Sequence, residues 1–120
     1  NKIILDAYNA NPSSMKAAIE NLKAMHAKSK VVILGDMFEL EEEAQAEHEN
    51  LGKLVEEGIH EVWLCGKLME STKKVLPTAN HFETRDALIE ALKKHQFNDA
   101  VILVKASRGI GLEKIVDYIL

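Results

Sequence analysis

The chain has 120 residues, with 15 lysines and arginines against 19 aspartates and glutamates, giving a formal net charge of −4 at pH 7. A chain of this length forms one domain and buries roughly two-thirds of its unfolded surface, so it needs neither a disulfide nor a metal to fold. The acidic balance and an aromatic content of 5% argue against a nucleic-acid surface, which requires basic stripes. We therefore expect one globular domain with no nucleic-acid partner.

The apolar runs are all short, and they exclude several classes of protein. None approaches the roughly 18 to 20 residues needed to cross a bilayer, and no signal-like segment opens the chain. The single cysteine, Cys65, excludes an internal disulfide and is predicted to be a buried thiol. These features predict a cytoplasmic protein without a membrane span.

The chain enters a strand by residue 3, which is typical of a domain excised from a longer enzyme.

Five short apolar runs without polar alternation are predicted as buried parallel strands. They lie at 3–5, 31–34, 62–65, 81–82 and 101–104, with the fourth the weakest. Each is followed by turn residues and then by a stretch with apolar residues at helical spacing. The chain thus alternates strand and helix from beginning to end.

Five helices are predicted between and after these strands. Asn11 begins the first, Gly58 closes the second as a left-handed cap, Pro77 ends the third and Thr84 N-caps the fourth. The stripe of the last helix is Leu112, Ile115, Val116 and Ile119. The alternation predicts an α/β fold, a Rossmann-like three-layer sandwich with a mainly parallel sheet of about five or six strands. Residues 1–120 form one undivided domain in this interpretation, and the strand order stays open.

The first polar run, residues 6–13, follows directly on the first strand. Polar residues just past parallel strands lie where open α/β sheets bind ligands. Asp6 supplies a carboxylate, Tyr8 a phenol, and Asn9 and Asn11 amides that both donate and accept, a set that suits sugar hydroxyls and a purine edge. The alternative is structural, with Asn11 only capping the helix that follows.

The second polar run, residues 105–109, follows the last strand. Lys105, Ser107 and Arg108 place two cations and a hydroxyl at a strand-to-helix junction, near backbone amides able to face an anion. Anion binding is therefore predicted here, and the alternative is that the two cations only neutralise an acidic surface. The glycines at 109 and 111 are too few for a dinucleotide fingerprint.

Other polar residues give weaker signals. Asp36, behind a strand-end glycine, is predicted either to face a cation or to cap a helix, and the glutamates at 39–43 to form a solvated helix start rather than a metal site. His48 lies on the inward stripe of its helix and is predicted to be partly buried and hydrogen bonded. Without a P-loop or a nucleophile elbow, no catalytic residue and no metal site are predicted in this chain alone.

Three segments together resemble the Mur ligases. They are DAYNANPSSM at 6–15, LGDMFEL at 34–40 and VKASRG at 104–109, and the resemblance covers the whole chain. Within the family, the chain is most similar to the branch that joins D-alanyl-D-alanine to UDP-N-acetylmuramoyl-tripeptide. It resembles the carboxy-terminal domain only, without the UDP-binding domain and without the central ATPase domain and its P-loop.

The resemblance implies an ATP-dependent amide ligase of peptidoglycan synthesis. The tripeptide carboxylate would become an acyl phosphate that the amine of D-alanyl-D-alanine attacks, and this domain would close over the reaction as a lid, inactive alone. ATP and Mg²⁺ would be held mainly by the central ATPase domain, which is the chain's expected partner.

The resemblance also implies residue roles. Asp6 would contact the ribose hydroxyls of ATP, and the neighbouring residues that would line the nucleotide are Tyr8, Asn9 and Asn11. Asp36 would lie near the dipeptide, and the residues that would hold the dipeptide carboxylate or the developing phosphate charge are Lys105, Ser107 and Arg108.

Two residues depart from the family pattern, and two alternatives stay open. Glu41 and Ala106 each stand where a glycine is expected, and Ala106 would restrict backbone approach to an anion. The first alternative is the equivalent domain of a sibling Mur ligase or of folylpolyglutamate synthase. The second is a non-catalytic nucleotide-binding α/β domain, although a receiver domain would have an acceptor aspartate where Cys65 stands.

Overall fold

A computed structural model describes residues 1–6 and 9–119, and it confirms the predicted α/β fold with a parallel sheet. The five strands are Lys2–Asp6 (β1), Ser29–Gly35 (β2), Glu61–Cys65 (β3), Asn80–Phe82 (β4) and Ala100–Lys105 (β5). The four α-helices of the described residues are Pro12–Ala24 (α1), Ala44–Val55 (α2), Glu70–Val75 (α3) and Arg85–Leu92 (α4). Nowhere in these residues is a helix both long and apolar enough to cross a membrane.

The strands lie side by side in the order β1-β5-β2-β3-β4, and all four neighbouring pairs are parallel. Buried residues of α1 and α2 form one core cluster with one face of the sheet, and those of α4 form a second cluster with the other face. Right-handed crossovers explain this division, because the chain moves one way from β1 to β4 and then returns to β5. The return places β5 between β1 and β2, where open sheets of this kind bind ligands.

Local sequence signals account for the helix ends. The Asn11 side chain accepts a hydrogen bond from the backbone N–H of Ser14 at 2.9 Å, and the Ser14 hydroxyl accepts one from the backbone of Asn11, forming a capping box. Thr84 accepts from the N–H of Ala87 at 3.1 Å and caps α4 as predicted. Gly58 has a φ of +82°, which confirms the left-handed turn after α2.

The last predicted helix differs from the expectation. The segment Leu112–Tyr118 is a 3₁₀-helix, preceded by a 3₁₀ turn at Arg108–Ile110. Its buried residues Leu112 and Ile115 are three apart, which matches the three residues per turn of a 3₁₀-helix. The predicted apolar stripe is therefore confirmed, but the spacing of its apolar residues does not distinguish a 3₁₀-helix from an α-helix.

Glu41 shows why a glycine is expected at its position. Its φ is +52°, in the left-handed region that L-residues other than glycine adopt at a cost. It begins the short 3₁₀-helix Glu41–Glu43 that leads into α2. The departure from the family pattern thus changes the helix entry, at an exposed site.

Candidate functional site

The register of the sheet brings three predicted site residues to one edge. Asp6 of β1 and Leu34 of β2 both pair with Lys105 of β5, and Asp36 lies two residues beyond Leu34. Because side chains alternate along a strand, Asp6, Lys105 and Asp36 all point to the face covered by α1 and α2. The carboxyl edge of the sheet therefore gathers residues from three neighbouring chain segments.

Lys105 is the buried centre of this edge. Its residue surface is 1% exposed, and its Nζ donates to Asp6 Oδ2 at 2.5 Å and to the backbone oxygen of Asn9 at 3.1 Å. An ammonium group out of contact with water requires such partners, since its desolvation is costly. The pair thus fixes the first polar run, after β1, onto the end of β5.

Asp6, in contrast, is open to solvent. Its side chain is 46% exposed, so its carboxylate can accept hydrogen bonds from a ligand while it holds Lys105. Asn9 is exposed next to it. Tyr8 lies outside the described residues, so its predicted contact stays a prediction. The Asn11 side chain caps α1 through its Oδ1 atom, as the structural alternative expects, and its predicted nucleotide contact stays a prediction.

Asp36 is enclosed, with 4% of its surface exposed. Its two carboxylate oxygens accept backbone N–H bonds from Leu68 at 3.2 Å and Met69 at 3.0 Å, at the start of α3. Burial raises the pKa of Asp36 above its usual range, while the two N–H bonds oppose the rise. Asp36 does not cap the helix that follows it in sequence, and instead binds the backbone of the turn that leads into α3.

Gly66 makes room for this carboxylate. Its φ is +120°, and a Cβ at this position would overlap the carboxyl group of Asp36. Beside it, burial and the charge of Asp36 raise the pKa of the Cys65 thiol to about 11, against an opposing effect of Arg85. The predicted buried cysteine is thereby confirmed as an inert thiol.

Ser107 joins the loops that follow β2 and β5. Its hydroxyl oxygen accepts from the N–H of Phe38 at 3.2 Å, and its own N–H donates to the backbone oxygen of Asp36 at 3.3 Å. Ser107 is 8% exposed and Arg108 is exposed beside it. The predicted anion-binding residues therefore continue the edge outward from Lys105.

Ala106 does not obstruct this edge. Its side chain belongs to the core cluster on the opposite face, and a Cβ at Gly35 would come within 2.5 Å of the Ala106 Cβ. The methyl group thus points away from the face of Lys105. Gly35 provides the space that Ala106 fills, and the approach to Lys105 and Ser107 is unaffected.

His48 is buried more completely than predicted, at 0% exposed, with both ring nitrogens hydrogen bonded. Neither the hydrogen bond between His48 and the loop after β2 nor the binding of Asp36 to the backbone before α3 was predicted from the sequence. Gly66 is a signal for the contact of Asp36, because a glycine directly after a strand marks a close approach of another group.

The edge itself is open rather than a closed pocket. A cavity of about 510 Å³ lies on the flank between α1 and α2. No described residue among the predicted site residues lines it; Met15, Met37 and Leu51 are among those that do. Within residues 1–6 and 9–119, no group of three or more histidine, cysteine or acidic side chains could hold a metal ion. This geometry fits a surface that forms a site together with another domain.

Comparisons with known proteins give the chain its family. Residues 1–108 match the family described as Mur ligase, glutamate ligase domain. The UDP-N-acetylmuramoyl-tripeptide--D-alanyl-D-alanine ligase of Rickettsia prowazekii is 38% identical over 121 residues, an alignment that covers 98% of this chain and 27% of that protein. This chain therefore spans about a quarter of the length of that relative.

Solved structures agree with this match. The crystal structure of MurF from Acinetobacter baumannii superposes with a TM-score of 0.80 at 28% identity, covering 96% of this chain and 27% of that one. The MurF ligase from Thermotoga maritima in complex with ADP has the same fold, with a TM-score of 0.77 at 22% identity over 98% of this chain and 28% of its own. The chain belongs to the Mur ligase family, as its glutamate ligase domain.

Proposed function

We propose that this chain is the carboxy-terminal domain of an ATP-dependent ligase that joins D-alanyl-D-alanine to UDP-N-acetylmuramoyl-tripeptide in peptidoglycan synthesis. The relative from Rickettsia prowazekii is named for this reaction, and the one from Thermotoga maritima was solved with ADP. The proposal includes a cytoplasmic location and a central ATPase domain, encoded in the same protein, that binds most of the ATP and the Mg²⁺.

The observation that carries the proposal is the Asp6–Lys105 pair at the carboxyl edge. It fixes a half-exposed carboxylate beside Asn9, at the point where β5 lies between β1 and β2. A carboxylate held in this way can accept hydrogen bonds from both hydroxyls of a ribose without changing its own position. We assign the nucleotide contacts to Asp6 and Asn9, and also to Tyr8 and Asn11.

The anion contacts are assigned to the residues that follow β5. Lys105 is enclosed and acts mainly by holding Asp6 and the loop at Asn9, whereas Ser107 and Arg108 lie further out and would meet the dipeptide carboxylate or the developing phosphate charge. Asp36 supports this region by fixing α3, and its proximity to the dipeptide remains part of the proposal.

An open sheet edge suits a domain that closes over a reactive intermediate. The tripeptide carboxylate is activated as an acyl phosphate, which water hydrolyses, and the attacking amine must be brought into line with it. Closure of a rigid edge carrying hydrogen-bond donors excludes water and supplies proximity. The domain alone, lacking a P-loop, has no means of activating the carboxylate.

Activity measurements on the chain alone and on the full-length protein test this function. We expect the chain alone to fold and to form no amide bond, and the full-length protein to release ADP and phosphate only with both substrates present. The variant Asp6→Asn should lower the full-length kcat/KM by on the order of a hundredfold.

The matched control is Asp99→Asn, an exposed aspartate at the opposite edge of the sheet, which should keep near-normal kinetics. Amide-bond formation by the chain alone, or normal kinetics of Asp6→Asn, would contradict the proposal. Use of a single amino acid in place of the dipeptide would instead point to a sibling ligase.

A further inference from the structure

His48 is a fully buried titratable side chain that the proposed function does not use. It lies on the inward face of α2 with 0% of its surface exposed. A buried imidazole must make hydrogen bonds that compensate for its lost hydration. The groups that receive those bonds therefore show what the side chain holds in place.

Both ring nitrogens of His48 bind backbone groups. Nε2 accepts from the N–H of Met37 at 3.1 Å, and Nδ1 lies 2.7 Å from the backbone oxygen of Ala44, one turn earlier on α2. Because an amide N–H only donates, Nε2 carries no proton, and Nδ1 is the nitrogen that donates to Ala44. The imidazole is thus neutral, in one tautomer and one orientation.

The next amide along the chain is held by Ser107. The N–H of Phe38 donates to the Ser107 hydroxyl oxygen at 3.2 Å, directly after the N–H of Met37 has donated to His48. Two consecutive amides are therefore fixed by two side chains from different parts of the fold, α2 and the loop after β5. The orientation of this segment determines the direction from which the Phe38 N–H donates to the Ser107 hydroxyl oxygen.

This arrangement leaves the Ser107 proton for another acceptor. A serine hydroxyl has one proton to donate and two lone pairs, and the Phe38 N–H occupies one lone pair. With the Phe38 amide fixed, the O–H can be directed outward, toward an anion at the edge beside Arg108. If Met37 lost its acceptor on His48, the segment would relax and the hydroxyl would lose that fixed direction.

We propose that His48 is a positioning residue of the anion site, which acts through the Met37–Phe38 segment to orient the Ser107 hydroxyl toward the carboxylate of the dipeptide substrate. The inference rests on the proposed function. It assigns no contact between His48 and substrate, and it predicts that the affinity for the dipeptide depends on the acceptor that His48 offers to Met37.

Two variants of the full-length ligase separate this role from a merely structural one. In His48→Gln the side-chain amide reaches the position of Nε2 and can accept from Met37, whereas in His48→Asn it reaches only the position of Nδ1 and can bond Ala44. We expect His48→Asn to raise the KM for D-alanyl-D-alanine by on the order of tenfold. The KM for ATP should stay within about twofold in both variants, and His48→Gln should keep the dipeptide KM within about threefold.

Thr72→Val is the control for lost stability. The Thr72 hydroxyl donates to the backbone oxygen of His48 at 2.7 Å and is 0% exposed, so its loss weakens the same region without touching the Met37 amide. We expect a lower melting temperature and an unchanged dipeptide KM. A dipeptide KM that rises in Thr72→Val, or rises equally in the two His48 variants, overturns the inference.

The outcome for the wild-type enzyme distinguishes the two proposals. An active wild-type enzyme whose dipeptide KM is unchanged in His48→Asn overturns the role of His48 alone. A wild-type enzyme that forms no bond between the tripeptide precursor and D-alanyl-D-alanine overturns the proposed function, and this inference with it.

Discussion

Asp6 and Asp36 both lie at the carboxyl edge of the sheet and face the same side, but they differ in their hydrogen-bond partners and in their exposure to solvent. Asp6 binds a buried lysine side chain and is 46% exposed, while Asp36 binds two backbone N–H groups and is 4% exposed. The half of the edge at β1 and β5 is therefore open, and the half at β2 and β3 is closed by α3.

The difference shows that the same residue type is left accessible to solvent at one position and is enclosed by the fold at another. A carboxylate that accepts from two amides and is buried is out of reach of a ligand, whereas one that shares an ion pair and meets solvent keeps accessible lone pairs. The open half is the part of the edge whose polar groups a ligand can reach, and the closed half keeps the loop that carries Met37 and Phe38 in place.

The largest loss of stability is expected when the Asp6–Lys105 pair in the open half of the edge is broken. Asp6→Asn leaves the Lys105 ammonium buried beside a neutral acceptor, and we expect it to lower the free energy of unfolding of the chain by about 2 kcal/mol, less than for a fully buried pair because Asp6 is half exposed. Urea denaturation measures the loss. Lys105→Met alone should also destabilise, and the double variant should cost less than the sum of the two.

The exposed pair Lys28–Asp99 provides the matched comparison. Its atoms are 4.0 Å apart and its side chains are 85% and 77% exposed, so the same two substitutions there should change stability by less than about 0.5 kcal/mol with no coupling. Equal coupling energies in the two cycles would show that the burial of Lys105 has no energetic consequence.

The pH dependence of stability tests the closed half of the edge, where Asp36 is buried. Burial raises the pKa of Asp36 in the folded chain above the value of 3.8 that it has in the unfolded chain, so at pH values between the unfolded-state and the folded-state pKa the folded chain binds more protons than the unfolded one. Stability from this group therefore increases as the pH falls through the folded pKa, and the gain is complete below about 3.8.

Asp36→Asn should remove that dependence. The asparagine keeps one acceptor oxygen for the amides of Leu68 and Met69, and we expect a loss of about 1 kcal/mol at pH 7. Because only the wild-type chain gains stability from protonation of residue 36, the gap between the two should widen as the pH is lowered. Urea titrations at several pH values measure it, and a gap that narrows toward low pH would mean that the folded pKa is depressed instead.

Much of the fold could be predicted from short-range patterns. The apolar runs at 31–34 and 101–104 became central strands because strands covered on both faces are apolar throughout, and Thr84 became an N-cap because its hydroxyl can satisfy a free amide of the first turn. Of the site, the convergence of Asp6 and Lys105 followed from their position at the carboxyl ends of parallel strands. These predictions depend on residues close in sequence or on general properties of parallel sheets.

The partner of each polar group could not be predicted in the same way. Asp36 binds the Leu68 amide, before α3, from 32 residues away, and Ser107 binds the Phe38 amide from 69 residues away. Those pairings depend on the strand order, which places β5 beside β2, and the apolar pattern does not determine that order. Spacing also failed to distinguish the 3₁₀-helix at the end of the chain from an α-helix.

The smallest expected effect concerns the loop that joins the closed half to α2. Glu41 is exposed and has a φ of +52°, so Glu41→Gly should relieve the left-handed strain and raise the free energy of unfolding by about 0.5 to 1 kcal/mol. The neighbour Glu42 is equally exposed and is not among the residues with positive φ. Glu42→Gly makes the same charge change, and it should destabilise because it only adds freedom to the unfolded chain. Opposite signs in urea denaturation would assign the gain to the backbone, whereas equal shifts would assign it to the lost charge in the run of glutamates and would leave the positive φ without an energetic cost.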